Sequence, residues 1–402
     1  MILLWFLLDI AGKSGGESWF HTVGMGSSKK HCPECRAAMV KNGKDKCGNQ
    51  RWLCRSCGVT SRWKNDVTAR DLSVFLDMIL GKTIQRDLPG QGRTFRRKAA
   101  KLWEIWPICE PDGEIRRVIH IDGIHLGRVA VVLIACSCEH VIAWHVARRE
   151  STQAYMDLLV KIPAPDMVVT DGGSGFKTAC KRIWPTTRVQ RCTFHAFNQV
   201  KRYTTTKSRT QCGRELYRIG IDLLHVKTPA ARDAWIDSFY AWHDRWSRFL
   251  SEKTRNDKGK LVYKHERLVK ARASLVKLIS DGTLFTFLDP DLYDDGEIIG
   301  SLPATNNQIE GGINSPLREL LHRHRGMRID HCIRTISWWC YMHTEMPASP
   351  AEILKIMPTN TDITHAYQQA AALRKADRNN RRWGTAINWN ELHTSTPYHN
   401  DY

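Results

Sequence analysis

No stretch of this sequence is apolar for the roughly 20 residues that a membrane-spanning helix needs. The longest apolar run, Met1 to Ala11, is interrupted by Asp9. A basic start and a small-residue cleavage site are both missing, so the run does not read as a secretory signal either. A phosphate-binding loop ending at Gly12-Lys13-Ser14 is excluded, because position 7 is Leu where that motif needs Gly. Residues 1–28 match nothing that follows and are read as a spurious or disordered leader, with translation expected to begin at Met25. Acidic residues are in short supply: 41 Asp and Glu stand against 60 Lys and Arg, a net charge of +19. That imbalance points to a polyanionic partner, nucleic acid before anionic membrane. It is concentrated near the N-terminus. From Lys29 to Pro107 there are 18 basic and 7 acidic side chains, more than half of the net charge in about a fifth of the chain.

The 42% of hydrophobic residues is enough for buried cores, and 402 residues allow two or three domains. Thirteen cysteines without a secretion signal favour a reducing compartment, where paired cysteines read as metal ligands rather than disulfides. Cys32-x-x-Cys35 and Cys54-x-x-Cys57, 18 residues apart, have the spacing of a four-cysteine zinc ribbon over residues 29–62. A segment that short has little core of its own, so the metal would supply much of its folding energy. Buried free cysteines are the competing reading, and His31 is a less suitable substitute ligand.

Helical periodicity follows over residues 66–107. Leu72, Phe75, Leu76, Ile79 and Leu80 form one stripe. After a break at Leu88-Pro89-Gly90, Phe95, Ala99, Leu102 and Trp103 form another, surrounded by Arg93, Arg96, Arg97, Lys98 and Lys101. Two helices with a break, the second strongly basic, suggest a DNA-binding helix-turn-helix; a solvated basic helix covering the ribbon is the plainer alternative.

From Ile115 the pattern turns to strands. RRVIHID, GRVAVVLIAC and HVIAWHVA are apolar runs, the last two separated by a turn and therefore read as an antiparallel hairpin. A helix capped by Ser151, a strand MVVTD, a helix FKTACKRIW and a strand TRVQRCTFH come next. The order predicts an α/β fold, a mixed sheet with helices on its faces, over residues 112–200. Residues 201–298 read as all-helical, a packing or interaction module, with a stripe through Trp235, Phe239, Trp242, Trp246 and Leu250 and no strand pattern. Residues 299–345 follow. There Thr305 and Gln308 suggest a capping box, Ile309, Ile313, Leu317, Leu320 and Leu321 an apolar face, and Pro316 a kink. Residues 346–402 form a polar tail without a legible role.

Two carboxylates are expected to end apolar strands, Asp122 and Asp171, and Glu310 lies near the start of a helix beside Gly311 and Gly312. Three converging carboxylates can hold two divalent ions for displacement at phosphorus, and hard oxygen ligands favour Mg²⁺ or Mn²⁺. On spacing alone this is weak evidence, and aspartates that merely form turns are the plainer account.

Four segments make the pattern specific: IDGIHLG around Asp122, VVTDGGSGF around Asp171, VQRCTFH around Cys192 and His195, and TNNQIEGGINSPLRELLHRHRGM around Glu310. With the paired-cysteine ribbon, GRTFRRKAAKLWEI and WGTAINWNELHTSTPYHND, the sequence resembles the bacterial insertion-sequence transposases of the Mutator-like superfamily in their zinc-binding variant, over about residues 29–400. The resemblance implies an RNase H-like core with an Asp-Asp-Glu triad, split by a helical insertion. It implies Asp122, Asp171 and Glu310 as ligands of two Mg²⁺ or Mn²⁺ ions and a structural Zn²⁺ in the ribbon. The family's C-x-x-H element falls on Cys192 and His195. His195 is expected to touch substrate phosphate or orient a carboxylate, with a purely structural pair as the alternative. Arg318, Arg323 and Arg325, beside His322 and His324, are candidates for lining a DNA path or else a solvated face. Double-stranded DNA as substrate, a homo-oligomer on paired ends, no membrane association and a cytoplasmic, nucleoid-associated setting complete the expectation. A non-catalytic DNA-binding protein, domesticated or decayed, and a nuclease that only hydrolyses are the rival readings.

Overall fold

A computed structural model describes residues 31, 32, 35, 37–62, 68–83, 92–137 and 139–381. The leader, the break at Leu88-Pro89-Gly90 and the segment WGTAINWNELH lie outside the described residues. The chain forms two compact units: residues 106–347 make one, and the part before it joins residues from 348 onward in the other.

In the smaller unit, β1 (Met39–Lys44), β2 (Gln50–Cys54) and β3 (Thr60–Arg62) form an antiparallel meander. The β1–β2 turn is closed by Asp45, whose Oδ1 accepts from the amides of Cys47 and Asn49, each at 2.9 Å. Its core is small: Cys32, Met39 and Cys54 are buried, with Ala37, Trp52 and Val59 against them. Helices α1 (Thr68–Leu80) and α2 (Arg93–Leu102) follow the predicted stripes, and Phe75 packs edge-on against Trp103 with ring centroids 4.8 Å apart.

The larger unit is built on a five-stranded mixed sheet in the order β6-β5-β4-β7-β8. Its strands are β4 (Val118–Leu126), β5 (Ala130–Cys136), β6 (Val141–Ala147), β7 (Met167–Thr170) and β8 (Arg188–Arg191). β4, β5 and β6 pair antiparallel, which matches the expected hairpin; β4, β7 and β8 pair parallel. Helices α3 (Thr152–Leu159) and α4 (Ser174–Ile183) cover one face through Tyr155, Leu158, Phe176 and Trp184. Ser151 caps α3 as expected, its side chain accepting from the Ala154 amide at 3.2 Å.

The opposite face carries α5 (Thr193–Thr204) and the insertion helices α6 (Gln211–Asp222), α7 (Pro229–Arg245), α8 (Ser247–Ser251) and α9 (Glu266–Ser280). The tryptophan stripe of α7 faces this core, and each indole N–H finds an acceptor. Trp235 donates to the Ile219 carbonyl at 2.8 Å and Trp242 to that of Cys212 at 3.1 Å. The insertion is not all-helical. β9 (Lys253–Arg255) and β10 (Leu261–Tyr263) form a short antiparallel hairpin, exposed on both strands save Val262. It gave no alternating apolar signal because it buries almost nothing; the turn is made locally by Asn256, whose side chain accepts from the amides of Lys258 and Lys260.

Downstream, a helical turn Asn307–Ile309, a π-helical segment Glu310–Asn314 and α10 (Ser315–Arg323) run on from one another. The expected capping box is absent: the turn is preceded by Asn306, not Thr305, and Asn306 makes no capping bond. Pro316 sits in the first turn of α10, directly after the π-helical segment. The wider π turn before it puts Glu310 and Asn314 on the inner side. Helix α11 (Ile329–Met342) then packs on β5 and β6. Two C-terminal helices, α12 (Pro350–Ile356) and α13 (Asn360–Arg381), belong to the smaller unit, where α12 packs on α1. Among the described residues no helix is long and apolar enough to cross a membrane.

Candidate functional site

Asp122 does not end its strand. β4 continues to Leu126, because Ile124 and Leu126 keep the inward alternation and pair on with β5. What ends at Asp122 is the parallel side of the strand. The last parallel pair with β7 is Ile121 with Thr170, so the next residue on each strand is Asp122 and Asp171, abreast just past the parallel ladder, while Asp122 still pairs with Ile134 of β5. Two adjacent strands thus deliver two carboxylates to the same end of the sheet.

Asp122 is held from both sides. Its Oδ1 accepts from the Gly123 amide at 2.8 Å and its Oδ2 from Asn314 Nδ2 at 2.7 Å. A β-carbon at Gly123 would meet Glu150 Oε1 at 2.5 Å and Val131 Cγ2 at 3.1 Å, so the carboxylate of Glu150 packs close against this glycine. Burial, partly opposed by the Gly123 amide and reinforced by Asp171 and Glu310, pushes the Asp122 carboxyl up to about 6. Asp171 accepts from the Gly173 amide at 3.3 Å.

Glu310 arrives from far along the chain, and a buried asparagine fixes its approach. Asn306 is fully buried; it donates to the Ile121 carbonyl at 3.0 Å, meets His120 Nδ1 at 3.0 Å, and its amide donates to Cys192 Sγ at 3.3 Å. Burial lowers the His120 pKa, so this ring is a neutral spacer. Glu310 Oε1 lies 3.4 Å from His195 Nε2, within ion-pair reach but without hydrogen-bond geometry. His195 stands in the first turn of α5, three residues after its cap Cys192. Its pKa is raised, first by the neighbouring Cys192 and against burial, then by Glu310 and Asp171. Cys192 and His195 stand together at the start of α5, where His195 Nδ1 is buried without a hydrogen-bond partner and Nε2 faces Glu310.

The four side chains act on one another electrostatically, yet Asp122, Asp171 and Glu310 do not close to mutual ligand spacing. Among the described residues, the one group of three or more donors within 4.8 Å of each other is Cys32, Cys35, Cys54 and Cys57. Like-charged carboxylates hold apart unless a cation lies between them. A cation fits the donor set: Glu310 Oε1 is a buried oxygen with no hydrogen-bond partner, and so is Asn314 Oδ1. The raised Asp122 carboxyl has a measurable consequence. A carboxyl whose pKa rises on folding is stabilising only while protonated; the benefit fades as pH climbs from about 4 through about 6. In EDTA, Asp122→Asn should therefore melt with the wild type near pH 4 and roughly 5 °C above it beyond pH 7. A constant gap across that range would remove Asp122 as the source.

The four cysteines fit a structural zinc ion. Sulfur separations of 3.5 Å (Cys32–Cys57), 3.4 Å (Cys35–Cys54) and 3.5 Å (Cys35–Cys57) approach the ~3.8 Å edge of a tetrahedral Zn–S site. The Cys57 amide chiefly draws the Cys54 thiol down to about 7. Cys57 is favoured as thiolate by the Val59 amide, yet its thiol neighbours Cys32 and Cys35 and burial together carry it up to about 12. Four thiolates cannot coexist here without a positive ion.

Of the basic candidates, Arg93, Arg96, Arg97, Lys98 and Lys101 are exposed on α2, with Lys98 tied to Asp71 at 2.8 Å. Arg318, Arg323 and Arg325 are exposed on and after α10, and Arg325 contacts His322. Sequence reasoning missed Asn306, Asn314, His120 and Glu150. The Asn-Asn pair before the Glu310 turn was the available signal. Glu150 was not legible, because its link to the site is spatial: it pairs with His125 at 3.0 Å and, with Asp171, raises the pKa of the buried Tyr155 hydroxyl.

Fold and site define a mixed α/β protein with an acidic centre at one end of the sheet and a four-cysteine cluster suited to zinc. Residues 125–262 match the family model described as transposase, Mutator family. That match spans about a third of the chain and agrees with the resemblance read from the motifs. The match takes in Asp171, Cys192 and His195 and leaves Asp122 and Glu310 outside it. No curated protein matches the chain.

Proposed function

We propose that this protein is a DNA transposase that binds the ends of a mobile element, cleaves to expose a 3′-hydroxyl, and joins that hydroxyl to target DNA by transesterification. The observation that carries the reading is that Asp122 and Asp171 stand abreast on adjacent parallel strands, with Glu310, on a helix pinned by Asn306, within electrostatic reach of Asp122. The strand order, three antiparallel strands followed by two parallel ones, supports an RNase H-like core with the helical insertion between Asp171 and Glu310.

Two Mg²⁺ or Mn²⁺ ions held by the three carboxylates would supply activation of the attacking oxygen and charge stabilisation at the leaving oxygen. The protein's own groups prepare for this. The Gly123 amide and Asn314 fix the Asp122 carboxylate, the Gly173 amide fixes that of Asp171, and His195 orients Glu310. One phosphodiester replaces another, so no high-energy cofactor is needed. The zinc ribbon and the basic face of α2 recognise the ends, with Arg93, Arg96, Arg97, Lys98 and Lys101 on phosphates; Arg318, Arg323 and Arg325 line the DNA path. Affinity should then fall steeply with salt. Paired ends require an oligomer, to which the insertion contributes.

The test uses a plasmid carrying the gene's own flanking DNA, incubated with the full chain and Mg²⁺, and the sequencing of its products. Ends joined covalently to target are expected. Hydrolysis without joining would make the protein a nuclease. Specific footprints with neither product would leave a non-catalytic DNA-binding protein.

A further inference from the structure

Beside the acidic centre lies a cleft of about 1010 Å³ between α4, β8 and the end of α9. Its lining includes Lys177, Lys181, Arg188, Arg191 and Lys277, against two carboxylates, Asp281 and Asp289. Most of these cations are already engaged. Lys177 and Lys277 both bind Asp281, at 2.7 and 3.2 Å, and Arg188 binds Asp289 and Asp291. Lys181 is exposed and has no ion pair among the described residues; it shares the Lys177 face of α4 at helical spacing.

Arg191 differs from all of them. It is the last residue of β8, paired in register with Thr170, one residue before Asp171. The preceding Gln190 points to the other face of the sheet, where it donates to the Leu284 carbonyl at 3.0 Å. Arg191 therefore turns toward α4. Its guanidinium lies over Gly172: a β-carbon there would collide with it, with Cζ at 2.7 Å and Cδ at 2.8 Å. Gly172 also has φ of +83°, so a side chain is excluded twice. Arg191 Nε and Nη1 are shielded from solvent and have no hydrogen-bond partner. Leaving charged donors buried and unpaired is costly, so two such donors on one guanidinium call for a partner. Just ahead of them α4 begins with Gly173 as cap, without a side-chain capping bond.

We infer that Arg191 is the anchor of a phosphate subsite that grips the DNA strand one step from the acidic centre, with the strand running along the cleft past Lys181. This rests on the transposase reading and names how its substrate is held. A guanidinium donating through Nε and Nη presents the two-pronged geometry that phosphate oxygens accept. The groups already neutralised by Asp281, Asp289 and Asp291 shape the cleft; Arg191 and Lys181 are the charges left for the strand.

The test measures binding of fluorescent oligonucleotides carrying the element end to the full chain in Ca²⁺. A series of strands has one phosphate at a time replaced by an uncharged methylphosphonate. Wild-type protein should lose about tenfold in affinity at one phosphate near the cleavage point. Arg191→Gln should bind the unmodified strand about tenfold more weakly, lose its sensitivity at that phosphate, and show a salt slope smaller by about 1. Lys181→Gln, on the exposed wall and harmless to folding, should remove the sensitivity of a neighbouring phosphate. The inference is overturned if folded Arg191→Gln keeps the wild-type profile, or, should that variant not fold, if Lys181→Gln leaves every phosphate dependence unchanged. Failure of the transposase reading looks different: Arg191-dependent binding would persist while no joined product forms in Mg²⁺.

Discussion

Asp171→Asn is expected to lower cleavage and joining by on the order of 10³-fold or more while leaving DNA binding within about twofold. The substitution is nearly isosteric, and the amide oxygen keeps the bond from the Gly173 amide that now meets Asp171 Oδ1. What disappears is one negative charge at the point where Asp122 and Asp171 stand abreast. Charge stabilisation by bound cations contributes several kcal/mol to a phosphoryl displacement, and about 4 kcal/mol corresponds to a thousandfold in rate. Joined product in single turnover with Mg²⁺, read beside binding of the same oligonucleotide, separates the two functions. An Asp171→Asn protein that joins ends at the wild-type rate would remove the acidic centre from the chemistry.

The second large effect concerns the four cysteines. Chelating the metal, or replacing Cys54 by Ser, should unfold the ribbon and reduce binding to the element ends about 100-fold or more. The hydrophobic reserve there is small, since Cys32, Met39 and Cys54 are its buried residues and two of the three belong to the four-cysteine cluster. Structural zinc in such modules contributes about 10–16 kcal/mol, far more than burial of one methionine and parts of Trp52 and Val59. The larger unit has its own cores and should keep its melting transition. Circular dichroism and footprinting before and after chelation check both parts. Normal footprints from metal-free protein would mean that the ribbon does not read the ends.

Much of the architecture was legible because it depends on local periodicity. The stripe Leu72, Phe75, Leu76, Ile79 reappears as the buried face of α1, and the Trp235, Phe239, Trp242 stripe as that of α7. The paired cysteines were legible because a metal knuckle is short-range. The hairpin β9–β10 was not, since it has no buried face to impose alternation. Nor was the true course of β4 through Asp122, where a polar residue inside an apolar run looks like an end. The capping box at Thr305 failed for a tertiary reason: Asn306 begins the turn with its side chain already committed to His120 and Ile121.

Residue types and spacings along the chain named the four thiols and suggested the two aspartates and the glutamate, because strand alternation, helical stripes and metal knuckles are short-range codes; the histidine came only with the family resemblance of the motifs. Their meeting was decided by tertiary structure alone. Parallel register sets Asp122 beside Asp171, Asn306 draws Glu310 toward His195, and Gly172 admits the Arg191 guanidinium. Each of these depends on pairing between segments far apart along the chain, and such pairing is fixed by packing and buried hydrogen bonds that no local pattern records.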